Sequence, residues 1–282
     1  MGKNERVSSE ASRPLPPTAG YHFSKKYGIL SIQVMARKPN FVKKKKRKVH
    51  GAAFWDAEYT NPTHLKLSVA ESGDLVKFTR YMERQKNDLV LNPGGSAVDA
   101  GCGNGRNLIY LANAYNLKGI GVDISSAAIA QARRASQSLP ITYLVGSAAD
   151  PLPAADQSQS LALDMMTSHF LDKKGRLNLR DELYRVLIPG GFLFMKTFLK
   201  DEDLHTKRLL LDFPGPEVGS YIHPVMGVPE YVYSEEELVA FLGEKFIVRK
   251  VYRSHRHAAK GGAGKRRTIS IYAEKDYGIQ RG

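Results

Sequence analysis

Three glycines at alternate positions, in Val98-Asp99-Ala100-Gly101-Cys102-Gly103-Asn104-Gly105-Arg106, follow a short apolar run and precede an amphipathic one. Glycine at such a point lets the backbone turn tightly and approach a ligand without side-chain interference. Two acids follow where strands are due to end: Asp123 in Gly121-Val122-Asp123-Ile124-Ser125, eighteen residues past Gly105, and Asp150 in Gly146-Ser147-Ala148-Ala149-Asp150. A carboxylate closing a second strand can accept both hydroxyls of a ribose, so the set points to a nucleoside cofactor. It does not fit a dinucleotide turn, Gly-x-Gly-x-x-Gly: counting from Gly101 the last position is Arg106, and from Gly103 it is Leu108. No Gly-x-x-x-x-Gly-Lys-Ser/Thr phosphate loop occurs either, so NAD and ATP are both disfavoured.

The elements that must position these residues follow from periodicity. Folded order is expected from Phe54-Trp55-Asp56-Ala57-Glu58-Tyr59. From Asp74, the spacing of Leu75, Phe78, Thr79 and Met82 predicts a helix before the turn Asn92-Pro93-Gly94-Gly95. Then come a strand at Ala97 to Asp99, a helix carrying Leu108, Leu111, Ala112 and Tyr115, a strand at Gly119 to Asp123, a helix capped by Ser125, and a strand from Ile141 to Val145. Strands alternating with helices at this spacing argue for a parallel sheet covered on both faces.

The ordered set Asp-x-Gly-x-Gly-x-Gly, an acid closing the second strand and an acid after the third resembles the class I S-adenosylmethionine-dependent methyltransferases. The resemblance extends through Leu161 to Met166 as a fourth strand, and through Glu182 to Phe194 as helix, turn and fifth strand. It covers about residues 95 to 197, more weakly from Phe54. It implies an α/β, Rossmann-like fold with a mostly parallel seven-stranded sheet, an antiparallel last strand and helices on both faces. It further implies that Gly101, Gly103 and Gly105 pass beneath the methionine part of S-adenosylmethionine, and that Asp99 helps position its amino group. Asp123 would hold the ribose and Asp150 the adenine amino group, while Asp164 to His169 would line the methyl-transfer site. Asp150 also suits a simple turn before Pro151.

A sulfonium is already a strong electrophile, so such a protein chiefly holds donor and nucleophile in line and excludes water. After the fourth strand stands Asp164-Met165-Met166-Thr167, not the Asn/Asp-Pro-Pro-aromatic of N6-adenine and N4-cytosine enzymes. The sole cysteine, Cys102, lies inside the glycine turn, which disfavours cytosine-C5 chemistry and also excludes a disulfide framework. His169 is the candidate proton acceptor, a packed histidine being the alternative. Residues 199–233 are read as an irregular cover over the substrate. Within it Tyr221, His223 and Tyr231 either touch substrate or hold the cover down. Ser234 to Glu237 is a capping box opening a helix to about Gly243. Phe246 to Tyr252 and Thr268 to Glu274 alternate as paired strands joined by a basic loop over 253–267. Arg256 and Arg266 in that loop are candidate substrate contacts on the rim, and tandem His255 and His257 are too sparse for a metal site.

The 282 residues carry a formal net charge of +14, unevenly placed. Residues 1–50 hold 13 Lys+Arg and 2 Asp+Glu, residues 249–282 hold 10 and 2, and the stretch between holds 19 and 24. A mildly acidic body with basic ends localises any attraction to polyanions. Residues 1–51 read as a disordered basic arm, 52–276 as the methyltransferase domain and 277–282 as a tail; Met35 reads as an alternative start, which would make residues 1–34 an upstream extension. The block Lys43 to Lys48 suits a nucleic-acid backbone or a nuclear-import receptor, as Arg253 to Arg267 suits an anionic surface. No apolar run is long enough to span a membrane and no secretory pattern opens the chain, so the expected compartment is cytoplasmic, or nuclear through that block. The acceptor is expected to be RNA or a ribonucleoprotein. A small-molecule acceptor and a non-catalytic, cofactor-binding RNA adaptor are the alternatives, and the oligomeric state stays open.

Overall fold

A computed structural model describes residues 51–65, 67–254 and 266–277. The arm over 1–50, the block Lys43 to Lys48, Arg256 with most of the basic loop, and 278–282 of the tail lie outside the described residues. In chain order the elements are α1 (Ala52–Thr60), α2 (Gly73–Arg84), β1 (Ser96–Ala100), α3 (Arg106–Tyr115), β2 (Lys118–Asp123), α4 (Ser126–Ala135), β3 (Ile141–Val145) and β4 (Gln159–Met165). There follow a 3-10 turn (Ser168–Phe170), α5 (Lys173–Val186), β5 (Leu187–Phe198), α6 (Leu204–Asp212), β6 (Ser220–Ile222), β7 (Pro229–Tyr231), α7 (Glu235–Gly243), β8 (Phe246–Arg253) and β9 (Thr268–Lys275).

Seven strands form one sheet in the order β3-β2-β1-β4-β5-β9-β8. All pairings are parallel except those of β9, which runs antiparallel to β5 and to β8. Period-two alternation sends Ala97, Leu161, Leu163, Phe192 and Phe194 to one face, where they pack on Leu75, Phe78 and Met82 of α2 and Leu108 and Leu111 of α3. Val98, Ala100, Ala162, Leu193 and Met195 go to the other, against Leu179 and Leu183 of α5 and Leu238 and Leu242 of α7. The strand order reverses between β1 and β4, and a ligand crevice forms at the carboxyl ends beside such a switch point.

Ser125 caps α4 by accepting from Ala128 N at 3.1 Å, and Ser234 and Glu237 form the reciprocal capping box of α7. Two local expectations need correction. The stretch after Phe198 is not irregular throughout: it contains α6, capped by Asp203, and the antiparallel pair β6–β7. Leu204 and Leu211 of α6 face solvent, which blurs the apolar stripe of that helix, and strands of three residues are too short to show alternation. Pro189-Gly190-Gly191 does not separate helix from strand either. It lies inside β5 beside a register shift, with Gly190 at φ +76° and the Tyr277 ring seated where a Cβ would stand. Among the described residues no helix is long and apolar enough to cross a membrane, and no group of His, Cys, Asp or Glu is arranged to hold a metal ion.

Candidate active site

The turn after β1 is tied to β2 through the backbone. Gly101 N and Cys102 N both donate to Val122 O, at 2.7 and 3.0 Å, and Gly103 N donates to Asp123 Oδ2 at 2.8 Å. Gly101, Gly103 and Gly105 adopt φ of +76°, +55° and +79°, which L side chains rarely take. The space a Cβ would need at each is filled by the chain itself: Thr167 at Gly101, the Tyr59 hydroxyl at Gly103 and the Tyr143 hydroxyl at Gly105. Cys102 is buried against Gly121, and burial followed by the Asp99 and Asp123 charges pushes its thiol well above the ordinary range, so it packs as an unreactive thiol.

A cavity of about 510 Å³ opens at these strand ends, within the size range of small-molecule sites. Asp123 is the predicted acid on its wall. Its second oxygen accepts from Ser125 N at 2.8 Å, and burial raises its pKa against the pull of those two backbone donors. Asp99 lies off the wall, 1% exposed, with no partner for either oxygen among the described residues. Burial first, then the Asp123 and Asp164 carboxylates, push it up to about 7. Asp164 is also off the wall; its Oδ1 accepts from Ser168 N at 3.1 Å, fixing the 3-10 turn, and burial raises it to about 6. Asp150 is exposed, while its neighbours Ser147 and Ala148 line the cavity.

The opposite wall carries His169, Phe198, Met226, Glu230 and Arg266. His169 is buried with both ring nitrogens unpartnered, its ring 3.9 Å from that of Phe170. Burial, then the positive charge of Arg266, drive its pKa well below the usual value, so the imidazole is neutral at pH 7. Arg266 lies 3.3 Å above the Phe198 ring centroid and donates to Glu230 Oε2. Glu230 is fully buried, and burial raises it to about 8. Tyr221, His223 and Tyr231 are not on the wall. Tyr221 is buried and donates to Glu230 Oε2 at 2.5 Å; His223 Nδ1 accepts from Met226 N at 3.1 Å; the Arg176 guanidinium lies 3.8 Å above the Tyr231 ring centroid. They hold the cover together. Arg253 pairs with Glu235 at the surface.

The segment around α1 roofs the cavity with Trp55, Tyr59, Leu65 and Leu67. It is fastened by two carboxylates that spacing did not single out. Asp56 Oδ1 accepts from Ser125 Oγ and Ala127 N at the start of α4, at 2.8 and 3.0 Å. Glu58 accepts from His64 N and Leu65 N, and its contacts with His64 Nδ1 and Thr63 help outweigh a burial that would raise it, bringing its pKa down to about 2. Glu230 likewise had no sequence signal, being one acid in a proline-containing stretch.

The residues suit S-adenosylmethionine: a glycine turn held open, a carboxylate at the end of β2 on the wall, and an unpartnered acid beneath. Fold and site thus define a class I, Rossmann-like methyltransferase architecture. Residues 97–191 match the family described as "Methyltransferase domain", so this stretch of the chain carries a methyltransferase domain. A SAM-dependent methyltransferase from Methanosarcina mazei is 28% identical with a TM-score of 0.57, covering 66% of this chain and 95% of its own. A malonyl-[acyl-carrier protein] O-methyltransferase of a Marinomonas species is 33% identical over 117 residues, 41% of this chain and 43% of the relative. A 37.1 kDa protein in transposon Tn4556 of Streptomyces fradiae is 38% identical over 141 residues, 49% and 38% respectively. The chain thus spans less than half the length of these two curated relatives.

Proposed function

We propose that the chain transfers a methyl group from S-adenosylmethionine to a compact acceptor held in the cavity. One observation carries this reading: a single cavity runs from the glycine turn and Asp123 to Phe198, Met226, Glu230 and Arg266, beneath a roof of Trp55 and Tyr59. When bound, the cofactor supplies an electrophilic methyl group on sulfonium. Asp123 would accept the ribose hydroxyls, Gly101 and Gly103 would lie along the methionine part, and Ser147 and Ala148 would form the wall past β3. Trp55, Phe170 and Phe198, which line the cavity, would exclude water from it when it is occupied. The O-methyltransferase named among the relatives supports transfer to an oxygen atom.

The second reading, RNA or a ribonucleoprotein, draws on the 13 basic against 2 acidic residues of 1–50 and on the basic stretch 253–267, which suit docking to a polyanion. The test is to incubate the full chain with methyl-labelled cofactor and fractionated cell extract. Label in small molecules is the expected result; label confined to RNA overturns the compact acceptor. If S-adenosylhomocysteine fails to bind by calorimetry, the methyl-transfer reading itself falls.

A further inference from the structure

The acceptor end of the cavity holds buried polar atoms that the protein leaves unsatisfied. Glu230 sits at the centre of β7, which packs against the 3-10 turn carrying His169. Its Oε2 is pinned from two sides, by the Tyr221 hydroxyl and by Arg266, whereas Oε1 has no partner among the described residues. Arg266 itself sits over the Phe198 ring, 3.3 Å from its centroid. A buried carboxylate oxygen without a donor costs about 1–3 kcal/mol or more, and such a group in a folded protein calls for an explanation, a catalytic role among them. Both nitrogens of His169 are unpartnered in the same cavity.

We propose that Glu230 is a catalytic residue, whose Oε1 takes the proton from an O–H or N–H nucleophile of the acceptor as that nucleophile is methylated. The inference rests on the proposed methyl transfer and names the acceptor class within it. As the acceptor's O–H or N–H bond breaks, its proton passes to Glu230 Oε1, and the freed electron pair makes the new bond to the methyl carbon. The pair of the old carbon–sulfur bond stays on sulfur. Total charge within the cavity is unchanged, because the positive charge lost at sulfur is balanced by the neutralisation of Glu230.

His169 is the weaker candidate for this proton. Burial and Arg266 both oppose its protonation, which leaves it a neutral hydrogen-bonding group for the acceptor. Glu230 differs, since burial favours its protonated form near neutrality. An acceptor that arrives as a free carboxylate has no proton to give and would set a second negative charge against Oε1. The chemistry therefore selects hydroxyl or amine acceptors over carboxylates.

Glu230→Gln in the full chain tests this. S-adenosylhomocysteine should bind wild type and variant within about threefold by calorimetry. Methyl transfer to whichever acceptor the wild type labels in extract should fall by about 100-fold or more. The wild-type rate should rise with pH to about 8 and level off, and the variant's should not. Tyr221, Arg266 and His169 face this carboxylate, and none should supply that rise. An infrared titration of protein saturated with S-adenosylhomocysteine should show a protonated-carboxyl band, absent from the variant, that disappears near pH 8. Should Glu230→Gln not fold, Glu230→Asp keeps the charge opposite Arg266 and should still lose about tenfold in rate. Transfer by either folded variant within about threefold of wild type, or no Glu230-dependent band titrating above about pH 6, overturns the proposal. A wild type that labels no acceptor refutes the proposed function, and the infrared titration then decides on its own whether Glu230 holds the proton.

Discussion

The two walls of the cavity are built by different means. On the β1–β4 side the main chain does the holding: Gly103 N and Ser125 N fix Asp123, and Gly101 N and Cys102 N fix the turn to β2. On the cover side long side chains do it. Arg266 reaches Glu230 across 36 positions of sequence, Arg176 reaches Glu217 across 41, and the Arg267 guanidinium reaches Glu202 across 65. A wall made from backbone turns depends on glycine and one acid at fixed spacing, and tolerates change elsewhere. A wall made from side-chain pairs depends on partners that spacing does not constrain, so it can be re-specified without disturbing the cofactor.

Asp99 is the exception on the backbone-held side, and changing it should have the largest effect. Its folded-state pKa of about 7 lies above the ordinary 3.8, so the folded protein keeps a proton that the unfolded chain releases. Stability from this group is full below about pH 4 and is lost as pH rises to about 7, by about 4 kcal/mol. Asp99→Asn should flatten the fall of Tm across that window, and an unchanged slope would remove Asp99 as its source. Next, Asp123→Ala should weaken S-adenosylhomocysteine binding about 100-fold, or about 2.7 kcal/mol, by calorimetry; a change below about fivefold would mean the turn holds ligand without its acid.

Gly101→Ala combines a positive φ with a collision against Thr167 and should cost about 2 kcal/mol, lowering Tm by about 4–8 °C. The smallest effect should come from Arg176→Ala. It removes the contacts to Glu217 and the Tyr231 ring, and about 1 kcal/mol of local stability with them. Hydrogen exchange should quicken over 217–231 while β1 and β4 stay protected; uniform quickening would show that the two walls are not independent.

What sequence reading could reach follows the same division. The succession of strands and helices, the glycine turn and Asp123 are local in their logic: each needs only a residue type and a distance along the chain. Asp150 and Asp164 show what spacing alone does not convey: one acid is exposed beside the cavity-lining Ser147 and Ala148, and the other accepts from Ser168 N. Tyr221 and Tyr231 drew attention as aromatics in a loop, yet the residue they flank in space, Glu230, reaches the cavity. Its position depends on a hairpin too short for periodicity and on an arginine 36 residues away. Thr167 and Tyr59 were similarly hidden: they fill the glycine turn, and nothing in a glycine spacing says what will lie opposite it.

The place of β9 bears on how the molecule is made. It lies between β5 and β8, pairing with both, and Lys275 at its end donates to Tyr184 O and Leu187 O, each at 2.7 Å. Of these seven strands it is synthesised last. During translation β5 is therefore finished well before its neighbour exists, and its open edge, bearing Phe192 and Phe194, must wait on the ribosome unpaired. Arg266, two residues ahead of β9, arrives with that strand. The partner of Glu230 on the cavity wall thus arrives only with the last strand, so a nascent or truncated chain that has already shaped the glycine turn still lacks Arg266.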